Sequence, residues 1–344
     1  MTRRLLPLVL VALLIGALPA SAGKKGPKSS LMCRDTVDEA QALQLDVNGE
    51  PATGRFAAPK QKPTTLVVFA HGYGHDSDSW VDHMKKAAAE HGVLAVAMDY
   101  RGTYEQRNED GSVTIRGWFV KEGAEDLVAA TKFFRKACPS IKQTVLFGVS
   151  MGGNASGLAL AKASEETAYD GTALFDYWFN VEGAVNAVET YAGASALAPV
   201  NEFAANAKAD IEQELGGTPA DNPEGYRDLA VVSHIDEIAD SGVKGVMVVH
   251  ALEDGLVPYN QSREIVAELA ARQIPVESYT VGQKGDGESG TTITGYSGQN
   301  ASPFAGHASE RSDTHIVMVT AFERLWALVD DEVGFGMYTE RFVN

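Results

Sequence analysis

The sequence predicts an α/β protein: a mostly parallel central sheet with helices on both faces and a small helical cap insertion. Three observations predict it. Largely apolar runs, among them Thr65 to Ala70, Val93 to Met98, Thr144 to Val149 and Val243 to Ala251, read as strands buried on both faces. Stretches with helical apolar spacing follow them, as crossover helices follow parallel strands. The chain of 344 residues is 44% hydrophobic and 22% charged, with no internal repeat and no linker, so one globular domain over residues 23–344 is the economical reading.

The first residues read as an address. Arg3 and Arg4 precede the apolar run Leu5 to Leu18, and Ala20-Ser21-Ala22 follows as a small-residue cleavage site. Residues 1–22 thus have the layout of a secretory signal peptide, which predicts a secreted or periplasmic protein with no stable membrane insertion. The run is short for a membrane span and carries Pro7 and Gly16; an uncleaved anchor is the competing reading. Cys33 and Cys138 both survive cleavage, and in an oxidising compartment an even pair reads as a possible disulfide. Two separate buried thiols are the alternative.

After a polar stretch at residues 23–30, a strand at Thr65 to Ala70 leads into a Gly-rich turn. A helix follows from Trp80 to His91, with Ser79 or Asp78 as cap and Gly92 as stop. Val93 to Met98 is the next strand. Gly123 to Cys138 places Ala124, Leu127, Val128, Thr131, Phe134 and Cys138 on one helical face, and Pro139 closes it. Thr144 to Val149 is a strand running straight into a helix from Gly152. Tyr177 to Val185 and Val243 to Ala251 are strands, Ser262 to Arg272 a helix, Pro275 to Val281 a last strand and Ile316 to Val329 a last helix. Two segments interrupt the alternation: residues 186–238, rich in Ala, Asn and Glu, read as the cap, and the glycine-rich residues 282–306 read as a long loop.

Acidic residues number 46 against 29 basic ones, a net charge of −17. With no Lys/Arg stripe, the chain does not suit nucleic acid or an anionic membrane surface as partner.

The sharpest chemical signal is Gly148-Val149-Ser150-Met151-Gly152, set between a buried strand and a helix. Such a strand–turn–helix context presents a serine oxygen at the carboxyl edge of a sheet, above a helix N-terminus. A glycine-rich helix start with a capping serine is the plainer alternative. A serine hydroxyl needs a base, and the base an orienting acid, here expected in the chain order Ser, acid, His. Asp254 follows the strand Val243 to Ala251 and precedes Gly255 and the Val257-Pro258 pair; Glu253 is its rival. Only His307 and His315 come after Asp254. His307, in a loop after Gly306, is the preferred base, because an imidazolium at a helix N-terminus, the place of His315, faces an unfavourable dipole. The backbone N–H of Met151 and that of Tyr73, in His71-Gly72-Tyr73-Gly74, are the candidate oxyanion-hole donors.

These residues resemble the α/β-hydrolase superfamily of serine esterases, lipases and peptidases, over nearly all of the chain from Thr65 to the last helix. His71 to Gly74, Asp99-Tyr100-Arg101-Gly102, Gly148 to Gly153, Asp254 with Val257-Pro258, and Gly306-His307 carry the resemblance. The stretch from Tyr226 through Pro258 is similar to the catalytic domains of the prolyl-oligopeptidase and dienelactone-hydrolase branches. The resemblance implies the α/β-hydrolase fold, with Ser150 as nucleophile, Asp254 as acid and His307 as base, and no cofactor or metal. Two positions depart from it: Ala251 stands where many relatives carry Gly, and the 53 residues from acid to base are more than usual, which keeps His315 open.

The implied activity is carboxylic ester hydrolysis through an acyl-enzyme, on a small-molecule, lipid or polymer ester. Peptidase or amidase action and polyester depolymerisation run on the same scaffold. Two readings of other classes stand beside it. One is a metallohydrolase using His71, His75, Asp76 and Asp78; the other is a binding protein on an inactive hydrolase fold. Asp286 and Glu288 in the glycine-rich loop lack calcium-ligand spacing and read as solvated charge.

Overall fold

A computed structural model describes residues 33–108, 110–282 and 306–343. The expected leader at residues 1–22, and residues 283–305 with Asp286 and Glu288, lie outside the described residues.

The described chain begins with a hairpin, β1 (Gln41–Val47) and β2 (Glu50–Ala57). Asn48-Gly49 closes it with φ of 56° and 88°, the two left-handed positions that a two-residue turn requires. Then come β3 (Thr65–Ala70), α1 (Val81–Glu90) and β4 (Leu94–Met98), and a separate hairpin of β5 (Tyr104–Arg107) and β6 (Val113–Arg116). Next are α2 (Val120–Ala137), β7 (Gln143–Val149), α3 (Met151–Lys162) and β8 (Tyr177–Val181). The insertion forms α4 (Ala187–Leu197), α5 (Glu202–Leu215), α6 (Pro223–Leu229) and α7 (Ile235–Asp240). The chain continues through β9 (Gly245–Ala251), α8 (Asn260–Ala271), β10 (Val276–Val281), α9 (Ile316–Val329) and β11 (Tyr338–Val343).

Nine strands make one sheet in the order β1-β2-β4-β3-β7-β8-β9-β10-β11. The β1–β2 and β2–β4 pairs are antiparallel; every other pair is parallel. Side chains of a strand alternate between faces, so β3 feeds both cores. Leu66, Val68 and Ala70 join one cluster with Leu127 and Phe134 of α2, Leu158 of α3 and Ile265 of α8. Val67 and Phe69 join the other, with Met84 of α1 and Val317, Met318, Ala321 and Leu325 of α9. Burying each such large aliphatic or aromatic side chain contributes roughly 1.5–3 kcal/mol.

The alternation of buried strands and helices is as the sequence predicts, with physical exceptions at the ends of elements. β8 stops at Val181 rather than Val185, because Glu182 turns to φ 48° and leaves the extended conformation. A single 3₁₀ turn, Ser77–Trp80, precedes α1, and its cap is Asp76, whose carboxylate accepts the Asp78 N–H; neither Ser79 nor Asp78 is the cap. β10 is not the last strand: the half-exposed β11 pairs beside it as the sheet's edge. No helix among the described residues is long and apolar enough to cross a membrane.

The strand order reverses between β3 and β7: the chain leaves β3 for β4 on one side and returns to β7 on the other. In an open parallel sheet, the crevice outside the carboxyl ends of the strands at such a switch is where ligands bind. The loop after β3 and the turn after β7 border it.

Cys33 and Cys138 form a disulfide, with Cα atoms 5.8 Å apart across 105 positions of sequence. It staples the segment before β1 to the C-terminal end of α2. A bridge closing so long a loop constrains the unfolded chain strongly. Cys138→Ser, or reduction of the wild type, is expected to lower the unfolding free energy by about 2–4 kcal/mol, read from urea midpoints with and without reductant.

Candidate active site

Ser150 occupies the turn between β7 and α3 with φ 56° and ψ −122°, a strained backbone for a residue with a side chain. The neighbouring glycines permit that turn. A Cβ on Gly148 would stand 2.2 Å from the carbonyl oxygen of Gly152, and one on Gly152 would stand 2.1 Å from that of Ala70. The Ser150 side chain makes no capping hydrogen bond to α3, so the capping-serine alternative fails. Its backbone is pinned instead: the N–H donates to Val181 at 2.9 Å, and the carbonyl accepts from Gly153 at 2.9 Å and Ala184 at 3.1 Å.

Asp254 lies in the turn after β9, buried. Its Oδ1 accepts the backbone N–H groups of Leu256 at 2.8 Å and Val257 at 3.0 Å. Its Oδ2 lies 2.8 Å from His307 Nδ1 and 3.1 Å from His250 Nε2. Glu253, the rival acid, is exposed. Gly306 makes the approach of the histidine loop possible: φ is 95°, and a Cβ there would stand 2.8 Å from the backbone of Glu253. Since a carboxylate only accepts, His307 Nδ1 is the donor, so in the neutral imidazole Nε2 carries the lone pair. Nε2 is buried and has no hydrogen-bond partner among the described residues. His315 is placed otherwise: it is the N-cap of α9, and its Nδ1 accepts the Val317 N–H at 3.3 Å.

Burial alone would push the His307 imidazole down. The charge and hydrogen bond of Asp254, with Glu182 and Glu310 behind them, override it and raise the group to about 9. Burial likewise disfavours the charged form of Asp254, but His307 and His250 hold its carboxyl well below the usual range.

The loop after β3 borders the serine. A Cβ on Gly72 would stand 3.5 Å from Ser150 Cβ and 3.5 Å from Glu310 Oε2. The Gly72 N–H is already used, donating to Glu310 Oε1 at 3.1 Å. The Tyr73 phenol donates to Asp210 of α5 at 2.5 Å. Arg116 of β6 clamps the same carboxylate with bonds of 2.7 and 2.8 Å, and the Gly117 N–H adds a fourth donor at 2.8 Å. Helix α5 of the insertion is thereby fastened to the Tyr73 loop. Met151 begins α3, where geometry leaves a backbone N–H without an intrahelical acceptor.

The cluster His71, His75, Asp76 and Asp78 does not converge. His71 Nδ1 contacts the Gly72 carbonyl at 2.9 Å and its ring stacks on Tyr100 at 4.0 Å; His75 donates to Glu310 at 2.6 Å; Asp76 caps a turn; Asp78 pairs with Arg55 at 2.7 Å. Among the described residues the group of acids and histidines that does converge is Glu182, Asp254 and His307, with side-chain atoms within 4.8 Å of one another. Backbone and imidazole donors already engage these atoms.

Glu182 and Glu310 are functional candidates that the sequence reading missed. Glu182 directly follows the strand β8, as Asp254 follows β9, and that position at a strand tip was the available signal. Glu310, three residues past His307, carried no such signal. Its Oε1 accepts from Gly72, from His75 and, at 3.2 Å, from the Ser79 hydroxyl. It ties the histidine loop to the loop after β3.

With this geometry in place, similarity to known proteins is informative. Residues 79–289 match the prolyl oligopeptidase family model. The chain is 24% identical over 213 residues to prolyl endopeptidase FAP of Homo sapiens, covering 62% of this chain and 24% of that protein. It therefore spans about a quarter of the length of the curated relatives it matches. An acylaminoacyl peptidase of Pyrococcus horikoshii superposes with a TM-score of 0.56 at 17% identity, over 87% of this chain and 43% of that one. A hyperthermophilic esterase from the archaeon Pyrobaculum calidifontis superposes with a TM-score of 0.56 at 16% identity, over 88% of this chain and 87% of that one. At these identities the structural matches establish the α/β-hydrolase fold.

Burial would raise the Glu310 carboxyl, but His75 beside it holds it down to about 2. A depressed carboxylate contributes stability that is complete above the ordinary glutamate range and lost as pH falls toward its folded value. Glu310→Gln should therefore destabilise at pH 7, and its difference from wild type should shrink between about pH 4.5 and pH 2, read from denaturation midpoints across that range.

Proposed function

Because the chain belongs to the prolyl oligopeptidase family of serine hydrolases, we propose that it hydrolyses carboxylic esters through an acyl-enzyme on Ser150, His307 and Asp254. The observation that carries this reading is the bond from His307 Nδ1 to Asp254, which in the neutral ring leaves the lone pair on the buried Nε2. Asp254 fixes the tautomer and stabilises the imidazolium that forms. His307 Nε2 takes the Ser150 proton while Oγ attacks the ester carbonyl. The Met151 and Tyr73 N–H groups receive the oxyanion. The tetrahedral adduct collapses, the alkoxide leaves with the proton from His307, and water repeats the sequence to release the acid. No metal or cofactor enters these steps.

Esters are preferred over amides on one ground: the near-complete mutual coverage with an archaeal esterase. The family name and the acylaminoacyl peptidase match favour peptide or acyl-peptide bonds as the second reading. The signal-like leader and the Cys33–Cys138 bridge support secretion or export to the periplasm.

Ser150→Ala should abolish fluorophosphonate labelling and lower kcat by about 10⁴-fold or more. His307→Ala should do the same while His315→Ala retains turnover; the reverse would transfer the base to His315. A chelator should leave activity intact. A panel of p-nitrophenyl esters of rising acyl length beside aminoacyl amides decides the substrate class, with higher kcat/KM expected on esters.

The base must be neutral to accept a proton, and its imidazole is raised to about 9. The expected kcat/KM profile rises with pH and reaches half its plateau in the alkaline range, near that value.

A further inference from the structure

Glu182 is a fully buried carboxylate at the tip of β8, the strand between those that carry Ser150 and Asp254. Its backbone has φ 48°, in the left-handed region that favours glycine, so the position bears a backbone cost for the sake of a side chain. That side chain reaches two segments. Oε1 accepts the Ala251 N–H, at the end of β9, at 3.1 Å. Oε2 accepts the Ala308 N–H, next to His307, at 2.6 Å and lies 3.6 Å from His307 Nδ1. The residue before it, Val181, accepts from the Ser150 N–H, and the Glu182 N–H donates to Val249 of β9 at 2.9 Å.

We propose that Glu182 is a positioning residue, a second carboxylate that stands beside Asp254 at the Nδ1 side of the His307 imidazole and braces the serine turn, the acid strand and the histidine loop against one another. The proposal rests on the serine-hydrolase reading above and adds a second carboxylate to the groups that hold its base.

The charged and titratable groups that face Glu182 are Asp254 from the turn after β9, His250 from β9 itself and His307 from the C-terminal loop; Glu310 reaches His307 from that loop. Burial, and then the negative charge of Asp254, raise the Glu182 carboxyl to about 7, against the pull of His307, His250 and the Ala308 N–H. In the alkaline range where His307 loses its proton, Glu182 is therefore ionised. An ionised carboxylate favours imidazolium, so removing it makes His307 a neutral base at lower pH.

The test compares pH profiles of kcat/KM on a p-nitrophenyl ester for wild type and Glu182→Gln. The expected result is an acidic limb displaced downward by about one pH unit, with a plateau kcat lower by roughly tenfold and KM little changed. A limb that coincides with wild type overturns the proposal, whatever the plateau, because a carboxylate that only held the backbone would lower stability or rate without moving a titration. If Glu182→Gln does not fold, Glu182→Asp decides, since it keeps the charge and withdraws it from the ring: a smaller downward displacement supports the proposal, and none overturns it. Fluorophosphonate labelling of wild-type Ser150, lost in His307→Ala, checks the serine-hydrolase reading separately. Failure there removes the premise, whereas successful labelling with an unmoved limb rejects Glu182 alone.

Discussion

Asp254 is a carboxylate removed from water, and burying an ion is tolerable only where donors surround it. Two backbone N–H groups, His250 and His307 meet its two oxygens. His250 is itself held, its Nδ1 at 2.5 Å from the Ser262 hydroxyl of α8 and its Nε2 at 2.8 Å from the Val257 carbonyl. The carbonyl can only accept, so His250 Nε2 carries a proton and turns it toward both oxygens. The shape of the turn after β9, the approach of the histidine loop and the tautomer of His307 all follow from the need to satisfy that one charge.

The sheet supplies the convergence. Parallel strands deliver their carboxyl ends to one edge, so β3, β7, β8 and β9 present Gly72, Ser150, Glu182 and Asp254 along the same rim. Loops then close distances that strands cannot. Glu310 carries the histidine loop back to the turn after β3, and Glu182 carries it to the ends of β8 and β9. Two carboxylates so near one imidazole would repel each other if left bare. Backbone N–H groups and His250 offset that repulsion, and the imidazole takes up the remaining negative field.

Much of this was legible from residues alone, wherever a local rule has one outcome. Largely apolar runs gave β3, β4, β7 and β9 to within two residues at each end, because a strand covered on both faces has few polar positions to blur its limits. The Gly148 to Gly152 motif was readable because its strand and helix are neighbours in sequence. The hairpin β1–β2 went unread although Asn48-Gly49 announces it, and β11 because its burial is partial and only its pairing with β10 makes it a strand. The contacts of Glu182, Glu310 and Asp210 were out of reach for another reason. Each joins segments 69 to 238 positions apart, and sequence spacing holds no record of which loops meet at a rim.

The shared carboxylate of Asp210 has a mechanical corollary. It belongs to the insertion, yet it grips the phenol of the residue whose amide is a candidate oxyanion donor. Arg116 stiffens the grip from a third segment. Displacing α5 would therefore have to break these bonds or carry the Tyr73 side chain with it.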